Sequence, residues 1–285
     1  MALTSTTLTF RKLLIIVFVL ANNYVFAQTY LQAQYNYATQ LYNDEQYFDA
    51  ITEFKRFQFF DSLNQYSYFT NKSIAMSYKQ GGKFDEAIYY YSLAEINTPN
   101  IDSLFNTKIE IIKTNLLRRT IFRAFDLLND LNNDERFNSK KDQITYWKGW
   151  AYIFNNEWEK ASEEFAKVDR NHQLKQICAN VAESQYSEST TKILSYILPG
   201  AGQFYTGNYI SGILSFSWVA LWTYIAVEAF LADRIFDGLL VTNFLVFRFY
   251  NGNIQNAENF ANEYNSEISN WTLNYLQHNY RGPKP

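Results

Sequence analysis

Between residue 30 and about residue 185 apolar positions recur at steps of three and four, the period of helices that bury one face. Ala50, Ala87, Ala124 and Ala161 follow one another at intervals of 37 residues. Other residues keep step with them. Ala38, Ala75 and Gly149 lie twelve positions before their alanine, and Leu41, Tyr78 and Tyr152 nine before. Tyr47, Phe84 and Trp158 lie three before, and Phe54, Tyr91 and Phe165 four after. Two small positions let paired helices approach closely, and the aromatics fill the space between pairs. Asn43-Asp44-Glu45, Gly81-Gly82-Lys83 and Asn155-Asn156-Glu157 supply the turns, since Asn, Asp and Gly tolerate left-handed backbone. Pro99 ends the second helix of its unit. The third copy is degenerate, with Ile112 where a small residue is expected. The pattern predicts an all-α chain with about four helical hairpins over residues 28–168.

The pattern then changes twice. Residues 169–191 are polar and predict a capping helix followed by a Ser/Thr linker at Ser187–Thr191. From Lys192 the chain is apolar, interrupted by Pro199, Gly200, Gly202 and Gly207. Tyr209 to Leu231 is 23 residues with one ionisable group, Glu228. As a helix it is about 34 Å long, enough to cross a bilayer core of about 30 Å. A second apolar stretch, Ile235 to Tyr250, is shorter and carries Asp237, Asn243 and Arg248. Together these predict a membrane hairpin over residues 192–252. Ile254, Ala257, Phe260, Ala261, Tyr264, Ile268, Trp271 and Tyr275 mark an amphipathic tail helix within 253–285, with a frayed end. Its other face holds Asn, Gln and Glu, so packing against protein is expected over adsorption to anionic lipid.

The N-terminus has the order of a secretory signal: Arg11 and Lys12, the apolar run Leu13 to Leu20, then Val25-Phe26-Ala27. Cleavage is expected after Ala27, with an uncleaved anchor as the alternative. Export of the repeats places the turn Asp233-Arg234 in the cytoplasm. Arg248 is then level with the Gly-rich loop. It is expected either to bond exposed carbonyls there, or a lipid phosphate, or to reach the interface alone.

Charge is near balance, at 25 basic against 28 acidic residues, which argues against a nucleic-acid partner. The single Cys178 cannot form an internal disulfide and reads as a small core residue. His172 and His278 lack neighbours at metal-ligand spacing, and no phosphate loop or nucleophile elbow is present. No catalytic activity, metal or cofactor is expected.

Residues 30–168 resemble tetratricopeptide repeats, with three extra residues per unit. The resemblance implies a superhelical array whose inner face comes from the first helix of each pair. By offset that face includes Tyr35, Tyr42, Phe69, Lys72, Lys79, Lys113, Tyr146 and Trp150. Aromatic and Lys side chains suit a protein or peptide partner with an acidic group; the alternative is that the aromatics are core and the lysines solvated. The stretch Pro199-Gly200-Ala201-Gly202-Gln203-Phe204-Tyr205-Thr206-Gly207, with Arg248 and Asn253, resembles the signature of small two-span bacterial membrane domains. The combination is similar to envelope proteins of Bacteroidetes-type bacteria. It implies a non-catalytic scaffold at the bacterial inner membrane, with its repeats in the periplasm and a lipid bilayer around its hairpin. The alternative is a homo-oligomer that passes an ion, lipid or small solute along Glu228, Asn243 and Arg248.

Overall fold

A computed structural model describes residues 30–61 and 64–285, and the expected signal segment lies outside them. The chain forms two compact units. One ends at Asn155 and also includes Lys284 and Pro285; the other is Asn156–Pro283. All regular structure among the described residues is helical. The first unit contains α1 (residues 30–43), α2 (Tyr47–Phe60), α3 (Ser67–Gln80), α4 (Phe84–Ile96), α5 (Ile101–Leu117), α6 (Ile121–Asn133) and α7 (Lys141–Phe154). The second contains α8 (Trp158–Val168), α9 (Gln173–Ser184), α10 (Glu188–Ile197), α11 (Ala201–Tyr205), α12 (Tyr209–Leu231), α13 (Ile235–Val241) and α14 (Phe247–Asn279).

The 37-residue period is written in the backbone as well as in the alanines. Glu45 (φ 61°), Gly82 (φ 73°), Arg119 (φ 64°) and Asn156 (φ 61°) all adopt left-handed turns. The next residue in each case opens the second helix: Gln46, Lys83, Thr120 and Glu157 have φ from −84° to −95° and ψ from 62° to 74°. The N–H groups of Gln46, Lys83 and Thr120 reach back to the carbonyls of Leu41, Tyr78 and Asn115 at 2.9, 2.8 and 3.0 Å. This bond closes the preceding helix and satisfies a carbonyl its last turn leaves open. The third hairpin has the same turn as the others, although its sequence is degenerate. All four repeated alanines are fully buried, as is Ile112. Phe54, Tyr91, Phe165 and Trp158 fill the core beside them. Asn100 caps α5 by accepting the Ser103 N–H at 2.8 Å.

Two further turns in the second unit reuse this geometry. Gly207 (φ 77°) precedes α12 and Asp233 (φ 58°) precedes α13. The N–H of Asn208 returns to Gln203 at 2.7 Å, and that of Arg234 to Ala229 at 2.9 Å.

Three boundaries differ from the sequence expectation. The compact division falls at Asn155, so the two helices of the fourth hairpin belong to different units. Ser187–Thr191, expected as a linker, starts α10 instead: the Ser187 hydroxyl accepts the Thr190 N–H at 3.2 Å as an N-cap. The second apolar stretch does not end before the tail. α13, a π turn at Thr242–Val246 and α14 form one helical run, with helical φ/ψ at both joins. A π turn frees backbone carbonyls. Thr242 Oγ1 donates to Gly238 O at 2.8 Å, and Asn243 Nδ2 donates to Leu239 O at 2.9 Å.

α12 is the one helix among the described residues long and apolar enough to cross a membrane. The return stretch, split between seven-residue α13, the π turn and the start of α14, does not meet that measure by itself. Trp218 and Trp222 of α12 stack on Phe249 of α14 at 5.5 and 6.2 Å, which ties the two together. Further along, α14 buries Ile254, Ala257, Ala261, Ser269, Thr272 and Leu276. Trp158 Nε1 of α8 donates to Ser269 Oγ at 2.9 Å. Trp271 and Tyr275, expected on this buried face, lie outside it.

Candidate functional site

The first helices of the hairpins carry the eight residues expected to hold a partner, and the structure divides them. Tyr35 packs edge-on against Phe54 and Phe57 at 5.7 and 5.5 Å, and Tyr42 against Tyr47 at 5.7 Å. Both flank the core built on Ala38, Ala50 and Ile74. Trp150 is buried, 6.4 Å from the Phe154 ring, so it is core and not a contact surface. Tyr146 packs at 5.3 Å on Trp147. Phe69 is half exposed at the rim of a cavity of about 200 Å³, shared with Gln32, Tyr35, Phe57 and Tyr66. Lys72 sits over the Tyr68 ring at 5.6 Å.

Lys79 of α3 and Lys113 of α5 meet at one carboxylate that the sequence reading missed. Glu110 Oε2 lies 3.0 Å from Lys79 Nζ, and Oε1 lies 2.6 Å from Lys113 Nζ. Lys113 also sits over the Trp147 ring at 5.3 Å. The acidic group expected from a partner is therefore supplied by the chain itself, and the cluster keeps one net positive charge. Burial raises the pKa of the Glu110 carboxyl, but the two ammonium groups outweigh it and hold it below the usual carboxylate range. Burial also lowers Lys79 from the ordinary lysine value, and Glu110 only partly restores it. The Tyr91 hydroxyl beside them is kept protonated, first by burial and then by the Glu110 charge. The spacing of Glu110, three before Lys113, was the one signal available.

The Pro-Gly-x-Gly-Gln stretch builds a buried polar lock between α10, α11, α12 and α14. Leu198 and Pro199 end α10, and Gly200 turns the chain with φ 92°. A side chain on Gly200 meets the Gly212 carbonyl of α12. On Gly202 it meets Ser195 Oγ, Thr191 O at 2.6 Å and Ala257 Cβ at 2.9 Å. Asn253 is the centre of the lock. Its Oδ1 accepts the Gly200 N–H at 2.8 Å and the Gln203 side-chain amide at 3.0 Å. Its Nδ2 donates to Ser195 O at 3.3 Å. Gln203 also donates to Asn253 O at 2.9 Å and is fully buried. Tyr205 packs on Tyr186 at 5.2 Å, and its hydroxyl accepts the Ser187 N–H at 3.4 Å.

The expected bond from Arg248 to this loop is not formed. Arg248 is exposed, and the loop is held instead by Asn253, which accepts the Gly200 N–H. Glu228 is exposed near the end of α12. Asn243 bonds its own helix, so its amide repairs the π turn.

The remaining reactive groups are structural. Cys178 is fully buried, and burial pushes its thiol up to about 12. His172 caps α9, its Nδ1 accepting the Leu174 N–H at 3.1 Å. Among the described residues no cluster of His, Cys, Asp and Glu could hold a metal ion. In comparisons with known proteins the chain matches no family model, no curated protein and no solved structure.

Proposed function

We propose that this protein is a non-catalytic, membrane-tethered scaffold. Its tetratricopeptide-like hairpins hold a protein partner, and α12 with the return stretch fixes it in a bilayer. The observation that carries the reading is the uncovered apolar surface of that pair. Tyr209, Ile210, Ile213, Leu214, Phe216, Trp218, Leu221 and Tyr224 are exposed along α12, with Ile210 at 78%. Ile235, Phe236, Leu239, Leu240, Phe244 and Phe247 are exposed on the return, with Phe236 at 73%. Contiguous apolar surface of this extent marks contact with lipid or protein.

The energies favour lipid. Seventeen large apolar residues are exposed between Tyr209 and Phe247. Covering each contributes about 1 kcal/mol, or about 17 kcal/mol in all. Placing Glu228, Asp237, Asn243 and Arg248 in lipid costs about 3 kcal/mol each, or about 12 kcal/mol in all, by insertion scales. The apolar gain wins. We place the tether in the bacterial inner membrane, because a helical span suits that bilayer, while outer-membrane spans are normally barrels. With residues 1–27 acting as an export signal, the repeats face the periplasm.

Photoreactive residues at two positions test the reading in native membranes. A probe at Phe216 is expected to label lipid, and a probe at Phe69 to label protein. Protein adducts alone from Phe216, or no protein adduct from Phe69, contradict it.

A further inference from the structure

α14 carries a second surface, outside the face it buries. Nine of its 33 residues are asparagine, a poor helix former, so the composition needs another reason. Two of these asparagines show one. Asn265 grips the backbone of Tyr186 from both sides: its Oδ1 accepts the Tyr186 N–H at 2.8 Å, and its Nδ2 donates to Tyr186 O at 2.9 Å. The gripped segment is extended, with ψ 143° at Gln185 and 115° at Ser187. Asn253 holds the backbone at Ser195 and Gly200 in a similar way.

The outer face of α14 repeats this equipment with no occupant among the described residues. Asn259, Asn262, Glu263, Glu267, Asn270 and Asn274 lie along one side of α14, beside an open space of about 1060 Å³. Trp271 and Tyr275 complete that side as a stacked pair, rings 5.8 Å apart and 12° from parallel. Trp271 is 69% exposed. Among the described residues, none of these four amides or two carboxylates has a hydrogen bond or ion pair through its side chain. Glu258, by contrast, is paired with Lys192 at 2.6 Å. No Lys or Arg occurs between residues 249 and 280, so the helix offers neither near Glu263 and Glu267.

We propose that this face docks an extended, basic segment of a partner protein. The free amides pair with the peptide backbone as Asn265 pairs with Tyr186, each offering a donor and an acceptor. Glu263 and Glu267 attract lysine or arginine side chains, and the exposed Trp271–Tyr275 pair takes a cation on its ring faces. The dimensions agree. Side chains four apart on a helix rise about 6 Å, close to the roughly 6.7 Å of two extended residues. Residues 259–279 span about 30 Å, the length of about nine extended residues. This inference does not depend on the bilayer or on the direction of export.

The test uses the full chain in a nonionic detergent and a fluorescent peptide of about nine residues, alternating lysine and serine. Anisotropy is expected to show saturable binding. Glu263→Gln with Glu267→Gln should weaken it about tenfold or more, and Trp271→Ala about fivefold or more. Asn270→Ala with Asn274→Ala, or N-methylation of the peptide backbone, should weaken it similarly. These side chains lie outside the buried face, and an unchanged circular dichroism melt verifies that each variant folds. No binding up to about 1 mM overturns the proposal. So does equal affinity for the N-methylated peptide, or an unchanged affinity in Trp271→Ala. Displacement of the peptide by a neutral amino-sugar oligomer at lower concentration also overturns it, and assigns the face to glycan.

Discussion

Replacing Asn253 by alanine isolates the polar lock. The amide is 2% exposed and serves three partners. Its loss leaves the Gly200 N–H, now bonded at 2.8 Å, without an acceptor, and Ser195 O, bonded at 3.3 Å, without this donor. Gln203 keeps a bond to the residue 253 carbonyl, so its loss is smaller. Two orphaned buried groups at about 1.5 kcal/mol each give a destabilisation of about 3 kcal/mol. The shared hydrogen bond from Gln203 adds about 0.5 kcal/mol. Arg248→Leu is the control, because Arg248 is exposed and outside the lock; it should cost no more than about 0.5 kcal/mol. Denaturant titration of the detergent-solubilised protein, followed by tryptophan fluorescence and by pulse proteolysis, measures both. An Asn253→Ala variant within about 0.5 kcal/mol of the parent refutes the lock. An Arg248→Leu variant as damaging as Asn253→Ala returns the loop to the arginine.

Other consequences follow from the first unit and the thiol. Ala124→Leu should destabilise as much as Ala87→Leu, by about 1–3 kcal/mol, since both alanines are fully buried at the same turn; thermal unfolding measures it, and a neutral Ala124→Leu shows the third hairpin to be loosely built. Glu110→Gln leaves Lys79 and Lys113 facing each other and should cost about 1–3 kcal/mol, with most of the loss recovered by adding Lys79→Met. The folded-state pKa of Glu110 is depressed, so its contribution is present above the ordinary carboxylate value of about 4.3 and is lost as pH falls through the lower folded value. Stability measured from pH 6 to about pH 3 should fall less steeply in Glu110→Gln than in the parent. Cys178, with its thiol pushed up to about 12, should resist maleimide at pH 8 until denaturant is added; prompt labelling of the native protein contradicts its burial.

The hairpin repeat was legible because the alanine ruler and the aromatic offsets are both periodic. The third copy looked degenerate because Ile112 stands at a small position, and its turn gave no sequence signal either. Glu45, Gly82, Arg119 and Asn156 share one left-handed conformation, yet their side chains have nothing in common. The turn is imposed by the bond back to the preceding helix, so residue type is a weak guide to it. Glu110 was missed because its link to Lys79 spans 31 positions between two helices. The glycine motif was visible, but its partner Asn253 is 53 residues from Gly200. Local pattern pointed to Arg248; the hydrogen bond from Gly200 assigns the loop to Asn253. The boundary expected at residue 252 failed because the apolar composition ends there while the helix α14 runs on from Phe247 to Asn279. The apolar spacing of the tail also misled, since Ser269 and Thr272 are buried where Trp271 and Tyr275 were expected.

The tether is tested most directly by washing native membranes with alkaline carbonate and assaying the intact chain in pellet and supernatant. Integral insertion of α12 keeps the protein in the pellet, and a variant lacking residues 209–250 moves to the supernatant. Release of the intact, unmutated chain contradicts the account.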